Sequence, residues 1–258
     1  MKSPLPNSRP INNLHIGTAG WTIPRQHAHL FPAQGSHLER HASIFNCVEI
    51  NSSFHRPHML KTWQRWATST PVNFRFSVKL PKTITHTAKL INTGALLQTF
   101  IAQIQGLGEK LGPLLVQLPP SLAFDEAIAH DFLTTLRELH LNTDPHTNPI
   151  ALEPRHATWF TPIADRLLRD FAIARIAADP PKGSPSAARP AGDRNLHYYR
   201  LHGSPRTYYS NYDEPTLTQL AQTLKSTPPT TTVWVIFDNT AQNHATTNAL
   251  HLTHQLTP

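Results

Sequence analysis

Cysteine is almost absent from this chain of 258 residues: Cys47 stands alone, so no internal disulfide can form. A lone cysteine fits a reducing compartment, and a cytoplasmic location is the expectation. Long apolar runs are missing as well, none approaching the roughly 18 residues of a membrane helix, so no membrane partner is expected. The opening residues, Met1-Lys2-Ser3-Pro4-Leu5-Pro6, lack the apolar core of a secretory leader. No Gly-rich dinucleotide loop, Walker-type loop or His-Glu-x-x-His pair occurs; neither a cofactor nor a metal is expected from local motifs. Acidic residues are few. Sixteen Asp and Glu stand against 23 Lys and Arg, a formal charge of +7 with the 17 histidines neutral. That balance favours phosphates, nucleic acid or acidic surfaces, although no Lys/Arg run exceeds two residues.

What is present is a rhythm. Eight short β-branched or aromatic runs recur near residues 14–19, 46–51, 74–79, 113–118, 149–153, 173–177, 196–202 and 233–237. Helical patterns separate most of them. Ser36 and Glu39 form a capping box, and Leu97, Ile101 and Ile104 recur at helical spacing within 93–107, framed by Gly108 and Gly112. Thr161 caps a fifth helix begun by Pro162. Later helices are read near 215–224 and 243–252. Residues 178–195, rich in Pro, Gly and Ser, read as a long loop. The alternation predicts a single-domain α/β protein, a (β/α)₈ TIM barrel over residues 14–258, with residues 1–13 a loose lead-in.

In such a barrel the site gathers at the C-terminal strand ends. Here those ends carry Gly20-Trp21, Glu49-Ile50-Asn51, Lys79, Gln117, Glu153-Pro154-Arg155-His156, Asp179, Arg200-Leu201-His202 and Asp238-Asn239. Side chains alternate between strand faces. Since helices must cover the outer face, parity sends Glu49, Asn51, Arg75, Ser77, Lys79, Glu153, Arg175, Asp179, Tyr198, Arg200 and His202 into the lumen. Buried charges of both signs must pair. Arg75 and Arg175, low in their strands, could serve as internal ion pairs without chemistry. Cys47 reads as core rather than nucleophile.

The chemistry at those ends stays open between two classes. Lys79, Arg155, Arg200 and His202 could converge as an anion clamp, with Glu153 an ionised general base. Lys79 could instead form a Schiff base if its pKa were depressed. Lys79, Glu153 and His202 are therefore the catalytic candidates. Trp21, Asn51, Gln117, Arg155, His156, Asp179, Arg200 and Asn239 are the substrate-binding candidates. The competing reading is a metal site of Glu49, Glu153, Asp179 and His202, laid out as in xylose-isomerase-like and endonuclease-IV-like barrels. The aromatics Trp21, Phe54, Trp159, Tyr208, Tyr209 and Tyr212 fall in loops over the same end and could stack on a sugar or base.

Several runs carry a family resemblance. Ile16-Gly17-Thr18-Ala19-Gly20-Trp21, Val48-Glu49-Ile50-Asn51-Ser52-Ser53-Phe54, the stretch Thr70 to Lys79, Leu111 to Pro120, Glu153-Pro154-Arg155-His156 and Tyr199-Arg200-Leu201-His202-Gly203 are similar to the YecE-like family, domain of unknown function 72. The resemblance implies a TIM barrel and no established reaction. His55 stands where the family favours tyrosine, and Asp238 where it favours asparagine. The resulting expectation is an enzyme, whether hydrolase, lyase or isomerase, using acid/base chemistry on a small anionic, phosphorylated or sugar-like substrate at the barrel mouth. Nucleic-acid binding, including metal-dependent nuclease activity, is the alternative. Oligomeric state is left open.

Overall fold

A computed structural model of the chain describes residues 13–140 and 149–256. The lead-in, apart from its last residue, lies outside the described residues. The chain runs β1 (Leu14–Ala19), α1 (His37–Ala42), β2 (Cys47–Ile50), α2 (Ser52–His55), α3 (Leu60–Thr68), β3 (Arg75–Lys79), α4 (Gly94–Ile104), β4 (Leu111–Gln117) and α5 (Glu126–His140). It continues through β5 (Ile150–Glu153), α6 (Pro162–Asp170), β6 (Ile173–Arg175), β7 (Ala177–Asp179), β8 (Ala191–Gly192), β9 (Leu196–Leu201), α7 (Glu214–Lys225), β10 (Thr232–Phe237) and α8 (His244–Leu256).

Neighbouring strands pair in parallel from β9 through β10, β1, β2, β3, β4 and β5 to β6. Closure lies in one segment that changes partner. Ile173–Arg175 pairs with β5, whereas Ala177–Asp179, one residue on, pairs with β9. The sixth strand thus bridges both edges, and eight parallel strands form the barrel. Behind the switch, the two residues of β8 lie antiparallel to β6. That addition and a 3₁₀ turn at Pro185–Ala188 are the regular structure of the proline-rich loop.

Local signals act as their chemistry requires. Ser36 Oγ accepts from Glu39 N at 3.3 Å and Glu39 Oε2 accepts from Ser36 N at 2.7 Å, completing the capping box of α1. Thr161 caps α6 through the Ala164 amide, with Pro162 inside the first turn. Some boundaries move. The helix read to residue 107 ends at Ile104 and tightens into a 3₁₀ helix, Gln105–Lys110. Gly112 belongs to β4 rather than to a helix exit. A Cβ there would sit 2.7 Å from the Trp234 ring, so the strand passes only as glycine. No described helix is long and apolar enough to cross a membrane.

The outward strand faces (Val48, Ile50, Phe76, Val78, Leu114, Val116, Ile150, Leu152) pack beneath Trp63, Leu97, Ile101, Phe132 and Leu136 of the helices. The lumen has its own layer of Cys47, Leu115, Ala151, Ala174, Ile176, Leu196, Tyr198, Trp234 and Ile236. Tyr198 stacks on Trp234 at 5.9 Å and 7°, and His15 stacks on the same indole at 4.6 Å. Parity fails at the sixth strand, where Ala174 and Ile176 face inward. Arg175 points out instead, its guanidinium 5.0 Å from the Phe160 ring and 3.9 Å from Asp165 of α6. The large rings of Tyr198 and Trp234 already occupy this level of the lumen, and the small Ala174 fits beside them.

Candidate functional site at the barrel mouth

Above that aromatic layer the lumen turns charged. Arg200, on β9, is fully buried. Its Nη2 donates to Glu49 Oε1 at 2.7 Å and its Nε to Glu49 Oε2 at 3.0 Å, a two-pronged grip on one carboxylate. The same guanidinium donates from Nη1 to Glu153 Oε2, and from Nη2 to Asp238 Oδ2 at 3.1 Å. Beneath it, Tyr198 Oη donates to Glu49 Oε2 at 2.8 Å and lies 2.8 Å from Ser77 Oγ. Strand register assembles these groups: Gln117 pairs with Glu153, and Ala19 with Glu49.

Two further cations bind the carboxylates. Arg155 Nε and Nη2 reach Glu153 Oε1 at 2.8 and 2.7 Å. His202 Nδ1 lies 2.9 Å from Asp238 Oδ2, and its Nε2 is 3.4 Å from Glu153 Oε1. Burial alone would neutralise such groups. Against it, the carboxylates of Glu153 and Asp238 hold the His202 imidazole above the ordinary histidine range. Burial likewise opposes ionisation of Glu153, but Arg200, His202 and Arg155 outweigh it and keep the carboxyl well below the usual range. Asp238 is lowered the same way, with burial overcome by Arg200 and His202. Three acidic side chains, Glu49, Glu153 and Asp238, thus meet Arg200, Arg155 and an imidazole, His202, whose protonated form they favour.

Lys79 stands apart from that balance. Its Nζ donates to the neutral amide oxygen of Gln117 at 2.7 Å and sits 4.1 Å from the centroid of the Phe54 ring. Burial, reinforced by Arg200, lowers this ammonium to about 8, against the pull of Glu49, Glu153 and Asp238. Above it lies His86, on a π-helical turn Thr83–Thr87, whose ring meets Phe54 edge-on at 4.9 Å. Partial burial, then Lys79, Arg155 and Lys82, lowers that imidazole to about 4. The rim of the mouth is therefore cationic around a neutral histidine.

The structure brings together Lys79, Gln117, Glu153, Arg155, Arg200 and His202 from the residues singled out in the sequence. Others lie elsewhere. Asp179 accepts from Tyr212 Oη at 2.6 Å, because on β7 it shares the outward parity of Ala177. Asn239 is fully buried and donates to Ser210 O at 3.0 Å and Asn248 Oδ1 at 2.8 Å, which ties β10 to α8. His156 caps the short 3₁₀ helix Ala157–Phe160 through the Thr158 amide. Trp21 packs edge-on against Trp66 at 5.1 Å. Asn51 precedes α2, its Oδ1 buried without a hydrogen-bond partner. Trp159 is buried away from the mouth, donating to Leu122 O at 3.0 Å. Arg75 sits at the start of β3, bonded to Val72 O at 2.8 Å.

Asp238 and Glu49 join the cluster; both stood at the strand ends, Glu49 as a metal-site candidate, but neither was among the catalytic or substrate-binding candidates. Parity along β10 and β2 carried the signal for both. His86 had no such signal, since it lies on a turn. The metal set does not assemble: Glu49 and Glu153 are engaged by Arg200, and Asp179 by Tyr212. Among the described residues, no group of three or more His, Cys, Asp or Glu side chains is placed to hold a metal ion.

Comparison with known proteins identifies the family. The model of the family described as "Protein of unknown function DUF72" matches residues 15–258. Over 150 residues the chain is 32% identical to UPF0759 protein YecE of Escherichia coli (strain K12), covering 57% of this chain and 50% of that protein. The match thus spans about half the length of that relative. A DUF72 family protein of Enterococcus faecalis V583 superposes with a TM-score of 0.78 at 20% identity, covering 94% of this chain and 95% of that one. One from Thermotoga maritima MSB8 does so at 0.74 and 22% identity, covering 94% and 98%. At these identities the structural likeness speaks for the fold alone.

Proposed function

This chain belongs to the DUF72 family, and from the geometry of its own barrel mouth we propose that it is an enzyme acting by acid/base chemistry on a small anionic substrate. The observation that carries the reading is Lys79. Every carboxylate of the cluster has an arginine or histidine partner, whereas Lys79 is held by a neutral amide. Its charge is left for an incoming anion, with Arg155, which like Lys79 acts on His86, still partly open. A group near 8 can also both hold and release a proton close to neutral pH. Glu153 and His202 are the proton-handling partners in this reading; Arg200 holds Glu153, Asp238 holds His202, and Gln117 holds Lys79. A phosphorylated or carboxylated sugar-like molecule suits a small, cationic, aromatic-sided mouth.

The test is ligand-dependent stabilisation followed by turnover. A ligand that binds only the folded state raises the unfolding midpoint by mass action. Inorganic phosphate and a panel of sugar phosphates should raise it in the wild type and much less in Lys79→Met, and NMR should find at least one panel member converted. Equal stabilisation of Lys79→Met and wild type by every anion would refute the reading.

A further inference from the structure

The setting of Lys79 suits a nucleophile as well as an anion-binding cation. It ends β3 inside the lumen and keeps 8% of its surface open. An anchoring lysine is usually seated on a carboxylate; this one is seated on the Gln117 amide and the Phe54 face. One cation, Arg200 from β9, lies close enough to disfavour its charge, and burial disfavours it further. The groups facing it from other elements are Glu49 of β2, Glu153 of β5 and Asp238 after β10. Each of these is already engaged by Arg200. With its ammonium lowered to about 8, Lys79 holds on the order of a hundredfold more free amine near neutral pH than an ordinary lysine. Desolvation beside other cations is how lysines become nucleophiles toward carbonyls.

We propose that Lys79 forms an imine with small aldehydes or ketones that carry an anionic group, the anion being held at the cationic rim beside Arg155. The inference rests on the acid/base, anion-binding reading of this mouth and assigns its substrate class. The Nζ lone pair makes the C–N bond. The carbonyl oxygen leaves as water with both amine protons, giving a neutral imine. Gln117 is a positioning residue: its amide oxygen orients Nζ without contributing the negative charge that would keep the proton on.

Reductive trapping tests this on the intact protein. Glycolaldehyde phosphate and uncharged glycolaldehyde are each incubated with cyanoborohydride near neutral pH, and adducts are mapped on every lysine by peptide mass. The phosphate probe should label Lys79 about tenfold or more faster than the exposed Lys61 or Lys82, the free-amine advantage being discounted for burial, and inorganic phosphate should slow it. Gln117→Glu should move labelling of Lys79 to higher pH, a shift that a merely structural role of Gln117 would not produce. Labelling confined to exposed lysines, or equal rates with both probes, overturns the proposal. If phosphate still stabilises the protein in that case, the anion-binding reading survives and the imine alone is lost. If phosphate has no effect either, both fail.

Discussion

Replacing Arg200 by methionine tests how the barrel tolerates charge in its lumen. The substitution keeps an unbranched stem and removes every bond from the guanidinium to Glu49, Glu153 and Asp238. Taking away one partner of a buried ion pair costs about 3–5 kcal/mol, because the other charge stays desolvated. Arg200 serves three carboxylates, so that range is a lower bound. For a domain of this size each kcal/mol moves the thermal midpoint by about 2–4 °C, so the fall should be roughly 6–20 °C or more. The acid dependence carries the diagnosis. In the wild type, Glu153 and Asp238 have lowered folded pKa values. Their stabilisation is full above the unfolded carboxylate range and is lost as pH falls through the folded values. In Arg200→Met, Glu153 keeps Arg155 and His202 and Asp238 keeps His202, but all three acids lose their shared guanidinium; burial then weighs more heavily against their ionised forms, which cost stability as pH rises. The gap between the two proteins should therefore narrow from pH 7 to pH 5, in urea unfolding followed by tryptophan fluorescence. A loss below about 1 kcal/mol at pH 7, the worth of an ordinary hydrogen bond, or a gap that widens with acid, refutes the reasoning.

Two smaller perturbations probe the walls of the same structure. Gly17→Ala places a methyl group into the carbonyl of Cys47 on the paired strand; backbone cannot yield as a side chain would, and a loss of roughly 1–3 kcal/mol in the same unfolding assay is expected, against no change if β1 and β2 can part. Asp238→Asn removes a charge from His202 Nδ1, so the raised histidine pKa should fall when followed by NMR. His202 stabilises fully below the unfolded histidine value and loses that contribution as pH rises through the folded one; the variant should lose stability chiefly on the acid side of neutrality, and an unmoved imidazole would refute the pairing.

Period-two alternation sufficed to place Glu49, Ser77, Lys79, Glu153, Tyr198, Arg200 and His202 in the lumen, because β2, β3, β5 and β9 carry helices on one face and the barrel interior on the other. The same rule misplaced Arg175 and Asp179. It assumes that polar residues go inward, whereas an arginine on the outer face can lay its stem over a ring and reach an acid such as Asp165. Asp179 found the Tyr212 hydroxyl, donated from a loop some thirty residues on, a tertiary contact with no local trace. Asn239 follows a charged strand end but takes the opposite parity to Asp238, and so reaches α8. His86 escaped the parity argument because a π-helical turn has neither strand nor helix periodicity; the run Ile84-Thr85-His86 stood out only through its family resemblance. The change of partner at Ile176 lay out of reach of pattern reading, since no glycine, proline or change of period separates Ile173–Arg175 from Ala177–Asp179.

The stacked rings of His15, Trp234 and Tyr198 have an electrical consequence. They fill the lumen directly under Arg200 and its carboxylates with low-dielectric matter, and a wall of paired strands surrounds the rest. Field lines from the cluster are then channelled toward the solvent at the mouth, where Lys79 and Arg155 stand. The barrel behaves as a one-ended electrostatic funnel, whose rim potential is set by residues that no ligand needs to touch. Dissolved salt damps that rim potential beyond about 8–10 Å of solution, but it cannot reach the floor that generates it.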